Sequence, residues 1–188
     1  MLLNFNKNEA FLLNSMPSST YSNTWHFCRS CRQFIFMVVE LSDQTLGSGC
    51  KTGWVRRPGS TSCYLFVAFP EVDRETADEA CRNMSATLAN LESGEEIIWM
   101  HGYKSYHQQL RINTWIGGRK FEGKWWWETS SEKKLMNITD WATKQPDNFG
   151  GNQDCLLTFG DHVSSESFFR FDDTQCANVN SYVCEMFI

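Results

Sequence analysis

The sequence predicts a disulfide-stapled domain of the α+β class behind a less regular amino-terminal segment, and three observations predict it. Eight cysteines stand in 188 residues, an even number and well above ordinary usage, as expected where thiols pair in an oxidising compartment. Two capped apolar stripes follow one another directly, and a series of short strand-like segments follows them, so helix and strand are segregated rather than alternating. Finally, the 27 residues between Trp127 and Cys155 hold Pro146, Gly150-Gly151 and many Asn and Asp but little periodicity. A loop that long inside a domain is functional or held by something other than apolar burial.

Residues 1–49 are rich in Asn and Ser, sustain no helical or strand period and balance Lys7, Arg29 and Arg32 against Glu9, Glu40 and Asp43. This segment is expected to be poorly ordered. Gly47-Ser48-Gly49 reads as a hinge, which places the domain at residues 50–188. Ser62 to Phe69, aromatic and β-branched between Pro58-Gly59 and Pro70, reads as a buried strand. Thr76-x-x-Glu79 resembles a capping box, and Ala77, Ala80, Cys81 and Met84 follow at helical spacing, turning Cys81 to the core. Ser93-x-x-Glu96 opens a second helix through about Gln108, with Ile97, Trp99, Met100 and Tyr103 to bury. Strands are then expected over Asn113 to Gly117, Lys124 to Trp127, Cys155 to Phe159, Phe168 to Asp172 and Ser181 to Met186.

Composition narrows the function. Seventeen Lys and Arg against 22 Asp and Glu give a formal charge of −5, which argues against a nucleic-acid partner. The longest apolar run near the start, Phe34 to Val39, falls far short of the roughly 20 residues that cross a bilayer. No membrane span is predicted. Neither Met1 to Leu13 nor Phe34 to Val39 reads as a signal peptide, so the expectation of a secreted, extracellular protein rests on the cysteines alone. The four histidines have no evident nucleophile partner and no glycine-rich phosphate loop occurs, so an enzyme is not expected.

Spacing alone cannot choose among the 105 pairings of eight cysteines. Taken together, however, Cys50-x2-Gly53-Trp54, Cys63-Tyr64, the two capped helices, Trp115-Ile116-Gly117-Gly118, Gln145-Pro146-Asp147 and the final Cys176-x7-Cys184 resemble the C-type lectin domain family over about residues 50–188. The resemblance implies a C-type lectin-like fold, with two helices flanking small antiparallel sheets and a long calcium-binding loop. It also implies the pairs Cys81–Cys184, Cys155–Cys176 and Cys50–Cys63. Cys28 and Cys31 fall outside that framework. An unpaired or interchain role suits them better than a redox or zinc site, which lacks further ligands beyond His26.

Calcium takes six to eight oxygen ligands in irregular geometry, and residues 145–154 supply that donor mixture. By resemblance, the family's principal calcium site falls on Gln145, Asp147, Gln153, Asp172 and Asp173, making Ca2+ the expected cofactor. Gln145, Asp147, Gln153 and Asp172 would also meet the sugar. Family members carry Glu-Pro-Asn in mannose-type sites and Gln-Pro-Asp in galactose-type ones, and this chain has the second order. Two departures stand out: Gln153 replaces the usual Glu, and Phe171-Asp172-Asp173 replaces Trp-Asn-Asp. One carboxylate is lost and one gained, so weaker or altered binding is expected. Phe149 occupies the position where galactose-type relatives place an aromatic, whose face would cover the sugar's apolar side. Pro146 is expected to be cis, and neither Asp147 nor Asp173 is expected to touch the core.

Each element has a plainer reading. Gln-Pro-Asp-Asn alone is an ordinary turn, Phe149 could be loop packing, and Asp172-Asp173 could be a solvated strand end. Trp125-Trp126-Trp127 looks like a sugar platform, yet alternation buries at least one of them, so core is the default. Glu122 matches one ligand of the family's auxiliary calcium site, but Gly118 stands where its acidic partner should be, so no second ion is expected. Asn83-Met84-Ser85 and Asn137-Ile138-Thr139 are N-glycosylation sequons. The resemblance thus implies a lectin for glycans ending in galactose-class sugars, serving recognition of microbial or cell-surface glycans, and the alternative is a calcium-independent module binding a protein or other surface. Shallow single sites gain strength by clustering, and Cys28 and Cys31 could link chains into a homo-oligomer.

Overall fold

The computed structural model describes residues 49–129 and 131–188; Cys28, Cys31 and the rest of residues 1–48 lie outside them. Strand β1 (Val55–Arg56) pairs antiparallel with β2 (Ser62–Val72), which runs through Pro70 beyond the stretch predicted from sequence. Helix α1 (Arg74–Asn83) begins before the Thr76-x-x-Glu79 pattern: Asp73 is the cap, its side chain accepting from the Thr76 amide at 2.8 Å. A carboxylate at that position satisfies a free amide and also meets the positive end of the helix. The helix buries Arg74, Ala77 and Cys81.

After β3 (Thr87–Leu88), helix α2 (Gly94–Tyr106) is capped by Ser93 as predicted, its hydroxyl accepting from the Glu96 amide at 3.2 Å. The Glu96 side chain does not close a capping box on Ser93; it accepts from the Glu92 amide at 2.7 Å. The remaining strands are β4 (Thr114–Phe121), β5 (Lys124–Glu128), β6 (Lys133–Leu135), β7 (Cys155–Thr158), β8 (Phe171–Thr174) and β9 (Asn180–Phe187). Strand β8 starts three residues later than predicted. Arg170 donates its amide to Ser167 and Phe169 takes a positive φ of 61°, so the two preceding phenylalanines belong to a turn.

The strands join in the order β1-β2-β9-β4-β5-β6, with β3 on β9, β7 on β4 and β8 on β7. All pairings are antiparallel except β4 with β9. The first long strand therefore closes on the last, with Ser62 opposite Phe187 and Val67 opposite Tyr182. Disulfides Cys50–Cys63, Cys81–Cys184 and Cys155–Cys176 tie these elements together at Cα separations of 5.8, 5.4 and 5.2 Å. The second fastens α1 to β9 across 103 residues of sequence. Among the described residues, no helix is long and apolar enough to cross a membrane.

One core cluster gathers Tyr64, Ile97, Met100, Ile116, Trp127, Leu156, Phe171 and Val183, and a second surrounds the Cys81–Cys184 bridge with Trp115, Leu88 and Leu157. Trp127 is buried, as expected, while Trp125 packs on Trp141 with ring centroids 5.1 Å apart. The tryptophan run is therefore mainly core. In β4 two glycines make room for neighbours. A Cβ on Gly117 would stand 1.9 Å from Asn90 Oδ1 and 2.9 Å from the Leu88 carbonyl, and one on Gly118 would meet Leu156 Cδ2 at 2.3 Å. That closeness leaves no space for an acidic side chain at position 118.

Lys104 of α2 is wholly buried, and its ammonium donates to Ile112 O, Thr114 Oγ1, Thr158 Oγ1 and Phe159 O at 2.6–3.2 Å. No carboxylate stands among those acceptors, and burial pushes its amine down to about 7.

Gly117→Ala is expected to cost roughly 1–3 kcal/mol in urea unfolding, because backbone as well as side chain must move. Between pH 7 and 9 the unfolded Lys104 is protonated while the folded one is not, so stability rises with pH, by up to about 1.4 kcal/mol per unit. In Lys104→Met that slope is expected to vanish from unfolding curves taken over the same range.

Candidate functional site

The loop between β6 and β7 is anchored at two places on β8. At its start Trp141 packs edge-on against Phe171, with centroids 6.1 Å apart, the Ala142 amide donates to Phe171 O at 2.9 Å, and the Phe171 amide donates to Asp140 O at 2.8 Å. Farther on, the amides of Asp147 and Asn148 donate to Oδ1 and Oδ2 of Asp173, each at 2.9 Å. Apolar packing thus holds the first half of the loop and hydrogen bonds hold the second.

These anchors bring the residues singled out in the sequence to one place. The Gln145–Pro146 peptide is cis, as expected. The Asp147 amide also donates to Gln145 Oε1 at 2.9 Å, and the Phe149 amide donates to Asp147 Oδ1 at 3.0 Å and to Gln153 Oε1. Asp172 lies half-buried beside them. Burial, then the charges of Asp173 and Asp147, push its carboxyl up to about 7. Asp147, Asp172 and Asp173 join no ion pair among the described residues.

The expectation that Asp173 makes no core contact is corrected here: it is fully buried, with both oxygens engaged by loop amides. Asp147 is exposed, as expected. Phe149 is also exposed, at 78%, so packing within the loop does not account for it. Asn148 was not singled out from sequence, yet it is central. It takes the left-handed conformation at φ 47°, and its side chain accepts from the Gln153 amide at 3.1 Å. An asparagine followed by Phe-Gly-Gly was the available signal, since Asn tolerates that region better than other residues.

The donor set is one a hard divalent cation favours: side-chain oxygens only, with three acids crowded and no cation paired to them. In this conformation Asp147 and Asp173 turn toward loop amides, and among the described residues no three His, Cys, Asp or Glu side chains stand arranged to grip a metal. Glu122, in the β4–β5 turn, is exposed, and position 118 is a glycine. Asn83 and Asn137 are both exposed.

Residues 72–186 match the family described as Lectin C-type domain. The chain belongs to the C-type lectin domain family. This C-type lectin domain is 30% identical to perlucin of Haliotis laevigata over 139 residues, 73% of this chain and 83% of perlucin. It is also 30% identical to asialoglycoprotein receptor 2 of Homo sapiens over 160 residues, 81% of this chain but 46% of the receptor. The chain therefore matches less than half the length of that receptor. Among solved structures it resembles the mouse scavenger receptor C-type lectin carbohydrate-recognition domain, with a TM-score of 0.61 at 25% identity, covering 74% of this chain and 98% of that one. It likewise resembles SPL-1 in complex with GlcNAc, with a TM-score of 0.59 at 25% identity, covering 73% of this chain and 95% of that one. C-type lectin domains bind carbohydrate and are not enzymes.

Asp173→Asn keeps one acceptor oxygen and loses the other, so this lectin domain should keep its fold while the Asp147 and Asn148 amides exchange their hydrogens at least about tenfold faster. Unchanged exchange at both amides would show that Asp173 does not hold the loop.

Proposed function

We propose that this chain is a calcium-dependent lectin for terminal galactose or N-acetylgalactosamine-class sugars, acting outside the cell in recognition of glycans. The observation that carries the reading is the docking of the 145–153 loop on Asp173, which collects Gln145, Asp147, Gln153 and Asp172 around one exposed patch. Gln145, Asp147, Gln153, Asp172 and Asp173 would hold the ion. When bound, calcium supplies positive charge and open coordination positions for neighbouring sugar hydroxyls. Asp172 and Asp147 then lose the mutual repulsion that burial sharpens.

The chain's own groups supply the selection. Gln145 and Asp147 present amide and acid in the galactose-type order, and the exposed ring of Phe149 offers an apolar surface to one face of the sugar. Gln153 carries no charge where relatives carry a carboxylate, which lowers the expected affinity for both ion and sugar. Clustered sites restore avidity, and residues 1–49, with Cys28 and Cys31, form the appendage that would associate chains into an oligomer. Asn83 at the end of α1 and Asn137 in the loop are open to glycan attachment. A calcium-independent module binding a protein surface is the competing reading, favoured by the acids' turn toward loop amides.

On immobilised galactose the protein is expected to be retained with calcium and released by chelator or free galactose, with mannose as the non-eluting control. Asp147→Ala removes an exposed carboxylate and should abolish retention without lowering the melting temperature measured in chelator. Retention insensitive to chelator would favour the second reading instead.

A further inference from the structure

A groove of about 930 Å³ lies between the carboxyl end of α1, the amino end of α2, β9 and the β5–β6 connection, remote in sequence from the sugar loop. Glu96 of α2 and Glu185 of β9 line it, yet they are only 5% and 3% exposed. Between them stands the hydroxyl of Tyr64 of β2, itself fully buried. The Tyr64 oxygen bonds to Glu96 Oε1 on one side and lies 3.1 Å from Glu185 Oε1 on the other.

Counting hydrogens defines the state of this row of three oxygens. Two hydrogen bonds link them, but the tyrosine supplies one hydrogen. The outer oxygens cannot supply the second while both acids are ionised, because Glu96 Oε2 accepts from the Glu92 amide at 2.7 Å and Glu185 Oε2 accepts from the Asn90 amide at 3.1 Å. The second hydrogen must come from a proton on a carboxyl. We propose that Glu96, Tyr64 and Glu185 form a proton-dependent clasp, closed by one shared proton, that fastens the amino end of α2 to β9 and β2 and opens as the proton leaves.

The surrounding charges do not replace that proton. Lys134 of β6 reaches Glu92 at 2.6 Å, and Arg82 of α1 pairs with Asp78 at 3.1 Å. Arg57 and Glu132 line the same groove, but no ion pair joins any cation to Glu96 or Glu185 among the described residues. Ser62 of β2 also hydrogen-bonds to Glu185. Burial, with Glu96 next, pushes the Glu185 carboxyl up from 4.5 to about 7. The raised value sets the sign: the clasp's stabilisation is complete below the unfolded value of 4.5 and is lost as pH rises through 7.

The test is thermal unfolding of the full chain in chelator at pH 5 and pH 8, comparing wild type with Glu185→Gln. The glutamine amide donates permanently to Tyr64, so it holds the clasp without a proton. Wild type should lose roughly 5 °C or more relative to the variant between the two pH values. Asp172, which titrates in the same range, is common to both proteins and cancels in the comparison. As a second readout, infrared difference spectra should show the protonated-carboxyl absorbance lost between pH 5 and pH 8 reduced in Glu185→Gln by the share of one carboxyl, with the Asp172 band common to both proteins. Equal pH dependence of melting in the two proteins, or a protonated-carboxyl band of equal amplitude in both, would overturn the clasp.

Discussion

A carboxylate withdrawn from water organises the functional end of this domain. Asp173 has no exposed surface, and an unpaired buried acid would cost several kcal/mol. The loop amides of Asp147 and Asn148 satisfy its two oxygens, so the acid and the loop stabilise each other. Strand β8 supplies the other half of the arrangement through Phe171, which closes the core beneath Trp141 and shares backbone hydrogen bonds with residues 140 and 142. Within three residues the strand changes from core wall to anchor of the 145–153 loop.

The same economy of buried polar groups recurs elsewhere. Arg74, 1% exposed, reaches Glu128 at 3.1 Å from the first turn of α1. Lys104 ties α2 to β4 and β7 through hydroxyl and carbonyl oxygens, and Glu96 and Glu185 meet over Tyr64. Each joins a helix to at least one strand that lies far away in sequence. Such contacts specify a unique arrangement because the partners must be present together, and a slipped register would leave a charge unsatisfied. The apolar core alone tolerates more alternatives.

This division fits a recognition domain. Disulfides and the β2–β9 pairing fix the frame, while the residues of the candidate site sit on a loop that little apolar burial constrains beyond Ala142. The exposed side chains of that loop can then change without disturbing the frame. Gln145, Asp147, Phe149 and Gln153 are all partly or wholly exposed, so their substitution alters the surface offered to a ligand more than the core that carries it.

Much of this was legible in the sequence. The second helix cap, the strand at Cys155, the three disulfide pairs and the cis Pro146 follow from residue type and order together with the family resemblance. The family resemblance also placed Gln145, Asp147, Gln153, Asp172 and Asp173 in one candidate set, whereas Gln-Pro-Asp by itself reads as an ordinary turn. The sequence did not disclose that Asp73 rather than Thr76 caps α1, since both are capping residue types one turn apart and Thr76-x-x-Glu79 matches the capping-box pattern. Nor did it disclose the late start of β8, where a turn at Phe169 overrides an apolar run that reads as strand. Above all, the roles of Asp173, Asn148 and the Glu96–Tyr64–Glu185 row were decided by tertiary structure alone. Sequence records which groups can ionise or accept a hydrogen bond, but burial and the partner across the fold determine what each one does, and those partners are brought together only when distant strands pair.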